Sequence, residues 1–242
     1  MAHINAQRPN TRLQIIQLAA ELYIERGYSK TTHKEIATSL DISPGNITFY
    51  FPTKEHLLSV LVGELCDFQR ILMEHAAEEG KSSLLAYCLE LTSMAAACEE
   101  NEVARDFFIS AYTSEMTLGI IRENDARKTR EIFSAYCSDW SDETWQATEN
   151  IVSGIEYATL MTREADIPLS TQIECTLNTI MTIYGVPEET RRAKIAKVLA
   201  MDYRALGGSI LTEFKEYIKM INEDNLKKAI GDRAKRGVAT TK

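Results

Sequence analysis

The chain has 242 residues, 45% of them hydrophobic and 26% charged, with a net charge of −8. This composition fits a globular protein with one large core or two small ones, and no apolar run approaches the ~18 residues that a membrane span needs. The opening MAHINAQRPNTR has no apolar stretch of the secretory kind, so a cytoplasmic location is expected. Five scattered cysteines (Cys66, Cys88, Cys98, Cys137 and Cys175) contain no CxxC pair, which argues against a disulfide framework or a zinc site. They are expected as buried thiols, and no metal or other cofactor is indicated.

Residues 1–11 are polar and expected to fray. A first helix is predicted over about Arg12 to Arg26. Ile15, Ile16, Ala19, Leu22 and Tyr23 recur at the helical period and form one apolar stripe. Gly27 ends it as a C-cap. The next stretch, TTHKEIATSLDISPGNITFYFPTK over Thr31 to Lys54, carries the most information in the chain. Thr32 with Glu35 three residues later fits a capping box. Ile36, Ala37 and Leu40 give the second helix its apolar side. Ser43 is a favoured N-cap, and Pro44 at the first helical position loses no needed N–H. The third helix then runs to about Tyr50, with Ile47 facing inward and Gly45, Asn46, Thr48 and Phe49 outward. Two short helices about a tight turn, the second with a small and polar outer face, form a helix-turn-helix whose second helix enters the DNA major groove.

The segment Gln14–Leu58 resembles the DNA-binding domain of the TetR family of bacterial transcriptional regulators. The matching residues are IIQLAAELYIERGY, Thr31-Thr32, Glu35–Ala37, ISPGNITFYF and PTKEHLL, about one fifth of the chain. Beyond about residue 70 the resemblance is one of architecture alone. It implies an all-α protein with a helix-turn-helix head over residues 1–65 and a ligand-binding and dimerisation body over 66–242. Two positions depart from the family pattern: Pro44, where members often carry Lys, and Thr48, where they often carry an aromatic.

The charge is unevenly placed. Residues 1–60 hold six Lys/Arg and five Asp/Glu, +1 in all, which leaves −9 for the rest. An acidic body repels phosphates and helps aim the head at them. A head this weakly basic must use neutral donors as well. Asn46 and Thr48 are therefore expected to read bases, with Pro44 and Phe49 against thymine methyls and Gly45 on the same face. Thr31, Ser43, Tyr50 and Lys54 are expected at phosphates, with Thr32 mainly capping. His3, Arg8 and Arg12 are an alternative minor-groove arm.

A fourth helix is predicted from Thr53 to about His75, long enough to pass from head to body, with the boundary near residue 66. Further helices follow: one capped by Ser82, one holding Phe107, Phe108 and Tyr112, and one from about Thr117 to Cys137. The last has a charged middle, RENDARKTREIF, most of which is expected to be a solvated face. Two more are expected, from Ser141 or Asp142 to about Glu164 and from Pro168 to Gly185. From Pro187 a long helical segment extends beyond the minimal family fold, with a break or kink at Gly207-Gly208. The basic end, KKAIGDRAKRGVATTK, is expected as a loose tail.

The resemblance implies a ligand cavity in the body and a two-fold dimer through the last two helices of the basic fold. Candidate wall residues are Tyr87, Met94, Cys98, Phe108, Tyr112, Met116, Trp145, Tyr157 and Met161, a mix suited to an apolar or amphipathic small-molecule effector. Candidate dimer residues are Ile151, Gly154, Ile155 and Ala158, then Ile173, Leu177, Ile180 and Met181. The expected function is a ligand-responsive repressor of transcription, bound as a homodimer to a palindromic operator. The alternative is a DNA-bound architectural or partner-recruiting protein of the same fold. An enzyme is not expected: all four histidines (His3, His33, His56 and His75) lie in the first third, and no GxSxG, P-loop or HExxH occurs.

Overall fold

A computed structural model describes residues 11–79, 83–162 and 166–228. Among the described residues there is no strand, so the all-α expectation holds. His3, Arg8, Ser82, Glu164 and residues 229–242 lie outside the described residues. The head comprises α1 (Thr11–Arg26), α2 (His33–Ser39), α3 (Pro44–Tyr50) and the first turns of α4 (Lys54–Ala77). The body comprises the rest of α4 with α5 (Leu84–Glu100), α6 (Glu102–Thr113), α7 (Glu115–Phe133), α8 (Asp142–Met161), α9 (Leu169–Ile183), α10 (Glu188–Leu199) and α11 (Tyr203–Met220). A last helical stretch covers 223–228.

α5 is the axis of the body. Nearly every residue of it is buried, from Leu84 through Cys98, and α4, α6, α8, α9, α10 and α11 all pack on it. α5 starts at Ser83, whose hydroxyl accepts from the Ala86 amide. α7 ends at Phe133, earlier than the sequence pattern indicated.

The break expected at Gly207-Gly208 falls instead at Ala200–Asp202, where Asp202 caps α11 by accepting from the Ala205 amide. Both glycines lie inside α11. Gly207 is there because the helices touch: a Cβ at that position would stand 2.4 Å from the Ser93 carbonyl oxygen of α5. The glycine allows a close crossing and does not end the helix.

α11 also reaches the head. The Gln17 side-chain amide of α1 donates to the carbonyls of Ile218 and Lys219 at 3.3 and 3.1 Å, in the last turn of α11. Lys215 pairs with Glu25 at 3.0 Å. On another side, Asp106 of α6 accepts from the Ser29 amide at 2.9 Å and from its hydroxyl at 2.5 Å. Gly27, left-handed at φ +98°, ends α1 as expected and lets Asp106 approach where a Cβ would meet it at 2.9 Å.

Candidate nucleic-acid interface and body cavity

The capping box at α2 is formed. The Thr32 hydroxyl oxygen accepts from the Glu35 amide at 3.2 Å, and the Glu35 carboxylate accepts from the Thr32 amide at 2.7 Å. The Thr32 amide and then its hydroxyl, both donating to it, hold the Glu35 carboxyl below its ordinary range. The turn to α3 is made by Asp41, left-handed at φ +53°, with the Ile42 amide donating back to the Ala37 carbonyl at 3.0 Å. Asp tolerates this conformation where a branched residue would not. Ser43 precedes α3 without a side-chain cap bond, so Pro44 alone marks the start.

Ile36, Ala37 and Ile47 are buried in one core with Ile15, Ile16, Ala19 and Tyr23 of α1 and Leu57 and Leu58 of α4. That packing fixes which side of α3 faces out. Ser43, Pro44, Gly45, Asn46, Thr48, Phe49 and Tyr50 are all exposed. Phe49 is 79% exposed, with its ring edge-on to Tyr50 at 5.0 Å. Most of the ring is open to solvent. The Thr48 hydroxyl donates within the helix to the Gly45 carbonyl at 3.2 Å, which leaves its oxygen and methyl outward.

Two residues expected at phosphates are placed otherwise. Thr31 is buried, and its hydroxyl donates to the Gly27 carbonyl at 2.9 Å, because the chain after α1 needs a partner there. The Lys54 ammonium donates to the Tyr28 carbonyl and sits 3.9 Å from the Tyr28 ring centre, with desolvation lowering its pKa. It ties α4 to the end of α1. Arg12, considered for an arm, belongs to α1, with its guanidinium 5.7 Å from the Phe51 ring centre.

Residues 15–61 match the family model described as bacterial regulatory proteins, tetR family. Over these residues the head is similar to that family. Two curated relatives come from Bacillus subtilis (strain 168). The uncharacterised HTH-type transcriptional regulator YuxN is 35% identical over 121 residues, which cover 48% of this chain and 40% of the relative. The probable HTH-type transcriptional regulator YttP is 35% identical over 68 residues, covering 28% of this chain and 33% of the relative. The chain thus spans less than half the length of either relative. A solved γ-butyrolactone receptor, an ArpA-like protein, aligns over 84% of this chain and 97% of its own at 20% identity, with a TM-score of 0.42.

Behind this head, α4 continues to line a cavity in the body. Leu57, Leu58 and Leu61 of α4 are buried in its head-side turns, and Leu65 and Gln69 face the cavity further along. Tyr87, Met94, Phe108 and Tyr112 line it as expected. The cavity measures about 40 Å³, room for about three water-sized spheres. This cavity is far smaller than an ordinary ligand site.

The other candidate wall residues lie elsewhere. Cys98 faces a separate recess between α5, α8 and the start of α9. Met116 is 39% exposed, because it falls on the outer side of the first turn of α7. Trp145 packs on Trp140 and Tyr184 at 5.0 and 6.0 Å, in an aromatic group around Phe133. Tyr157 is half-buried, 6.3 Å from the Tyr112 ring. Half-buried Met161 offers its carbonyl to Arg105.

What the residue pattern missed is the charge. Asp125 and Lys128, inside the stretch expected to be solvated, are buried, whereas Glu123, Arg130 and Glu131 of the same helix are exposed. Lys128 lies 3.0 Å from Asp125 and 3.1 Å from both oxygens of Glu90. Burial works to discharge Lys128, but Asp125 and Glu90 outweigh it and hold the ammonium. Glu156 accepts from the hydroxyls of Tyr87 at 3.1 Å and Tyr112 at 3.3 Å. Burial pushes its carboxyl well above the usual range, with Asp125 adding to this. Glu149, held by Thr129 and Tyr184, is raised to about 7, by burial first and Asp125 second. Glu149 and Glu156, about two helical turns apart on one side of α8, were the signal in the sequence. Its direction depends on packing that periodicity alone does not fix.

The expected dimer residues divide. On α8, Ile151 is 60% exposed, Gly154 and Ala158 are exposed, and Ile155 is half-buried. On α9, Ile173, Leu177, Ile180 and Met181 are at most 1% exposed. Their spacing is that of one helix face, and α9 turns this face onto α5 and α10 of its own chain. They are core residues and are unavailable to a partner. Among the thiols, Cys88, Cys98 and Cys137 are buried, Cys66 is half-buried and Cys175 is exposed. No helix among the described residues is long and apolar enough to cross a membrane.

Proposed function

We propose that the protein is a ligand-responsive transcriptional regulator, a repressor that binds a palindromic operator as a homodimer. The observation that carries this is α4: one unbroken helix is core of the reading head at its start and wall of the body cavity further along. A ligand that prefers a wider cavity prefers a different α4 position, and that difference in affinity is what shifts the head. The functional boundary lies inside α4, near residue 66.

In this reading Asn46 and Thr48 meet base edges, while Pro44, Gly45 and Phe49 contact the groove's apolar surface. Ser43, Tyr50 and backbone amides serve phosphates, and Thr31, Thr32 and Lys54 hold the head together. The dimer forms through the exposed face of α8, where Ala147, Ile151, Gly154 and Ala158 repeat at helical spacing and Gly154 has nothing within 4 Å of its Cβ position. A two-fold pair places its heads in major grooves roughly 34–36 Å apart.

The test is selection of bound duplexes from a random pool at near-physiological salt, followed by a screen for small molecules that release the selected duplex. A palindrome with one half-site spacing and a releasing ligand support the proposal. Selection of a non-repeating site by a monomer overturns the dimer. The small cavity favours a second reading, a partner-recruiting DNA-bound protein of the same fold. Enrichment of a palindrome from which no small molecule releases the protein, with a partner protein retained on it, selects that reading.

A further inference from the structure

The cavity beside α4 contains three carboxylates, Glu90, Asp125 and Glu156, and one ammonium, Lys128. Lys128 is committed to Glu90 and Asp125, at 3.1 and 3.0 Å. Glu156 is left with two tyrosine hydroxyls, and no cation among the described residues lies within ion-pair distance of it. A cavity with this balance repels an anion and gains from a cation. A second feature points to a guest. Gln69 is 3% exposed and lines the cavity, and its side-chain Nε2 has no hydrogen-bond partner. A buried amide donor left open is rare, since burial removes water as its partner. An acceptor on a bound molecule would satisfy it.

We propose that the cavity binds a cationic amine with an apolar body, its ammonium paired with Glu156 and a neutral acceptor of the ligand meeting Gln69. This deepens, and rests on, the ligand-responsive reading above. The rings of Tyr87 and Tyr112 flank the ammonium and add a cation–π attraction. Leu65, Met94 and Phe108 receive the body. The present volume of about 40 Å³ admits the head group and not the body. Binding therefore spreads the helices around the cavity, α4 among them.

The Glu156 carboxyl is faced by Tyr87 and Glu90 of α5, Tyr112 of α6 and Asp125 and Lys128 of α7. Gln69 and Cys66 of α4 and Glu149 of its own helix complete the surroundings. Burial and the neighbouring acids, Asp125 first, favour its protonated form. An entering ammonium expels that proton to solvent, so affinity for the amine rises with pH.

The experiment is calorimetric titration of the full-length protein with three probes of one shape: 4-phenylbutylamine, 4-phenylbutan-1-ol and 4-phenylbutyrate. The amine is expected to bind at least about tenfold more tightly than the alcohol, the carboxylate most weakly. Proton release should accompany the amine alone, seen by repeating the titration in buffers of different ionisation enthalpy. Glu156→Gln should bring the amine down to the alcohol's affinity and leave the alcohol unchanged, which also shows that the variant is folded. The proposal fails if the alcohol or carboxylate matches the amine, if the variant keeps the amine preference, or if no probe binds. An alcohol that binds best and releases the selected duplex overturns the charge assignment while the ligand-responsive reading stands. An amine that binds as predicted without altering affinity for the duplex does the reverse.

Discussion

In the head, the polar bonds that shape the motif join residues close together in the chain. Thr31 donates to the carbonyl of Gly27, and Thr32 and Glu35 cap one another. In the body such bonds run across the fold: Lys128 reaches Glu90, and Glu156 reaches Tyr87 and Tyr112 on two other helices. A local bond breaks one at a time, and its loss is shared with water. A buried set spread over four helices is satisfied together or not at all. The head is thus a collection of small independent contributions, and the body centre is one coupled unit.

Four changes test how far that difference goes. Lys128→Met should cost the most, about 3–5 kcal/mol, because it strands Glu90 and Asp125 without a counter-charge. Urea denaturation measures it, and a loss under 1 kcal/mol would mean the set is not coupled. Next is the pH dependence contributed by Glu149. Its folded pKa, about 7, lies above the ordinary carboxylate value. The folded state therefore holds a proton the unfolded state has released, and stability falls as pH rises from about 4.5 to about 7. At its steepest the slope is about 1.4 kcal/mol per pH unit. Glu149→Gln should flatten it, which paired urea midpoints at pH 5 and pH 8 would reveal.

Smaller effects are expected from the head. Asn46→Ala should lose about 1–3 kcal/mol of operator binding and relax preference at one position per half-site, read by repeating the duplex selection with the variant. An unchanged selected sequence would remove Asn46 as a base reader. Thr32→Ala should lower stability by about 1 kcal/mol through its cap, with little effect on the body. A loss as large as that from Lys128→Met would erase the contrast between the two regions.

The same contrast explains what the sequence made legible. The capping box, Pro44 as a helix start, the C-cap at Gly27 and the outward set on α3 depend on residues within a turn or two of each other. Local spacing reports them. The placing of Lys54 was not legible because its partner, the Tyr28 carbonyl, lies in the turn after another helix. The α9 residues Ile173, Leu177, Ile180 and Met181 form a clear apolar face, but the pattern does not say whether a face meets its own chain or a second copy. Asp125 and Lys128 appeared among ordinary surface charges, and only the packing of α7 on α4, α6 and α8 turns them inward. Gly207 shows the same ambiguity, since a glycine that ends a helix and one that admits a neighbour look alike in sequence.

The two side attachments of α1 have a mechanical consequence. Asp106 holds Ser29, just past α1, and α11 holds Gln17 in mid-helix and Glu25 near the helix end. A rigid piece pinned at two separated points keeps one rotation, about the line through the pins. In the proposed response the head would be a door on two hinges, with α4 as the handle, and pulling either pin should let its swing wobble.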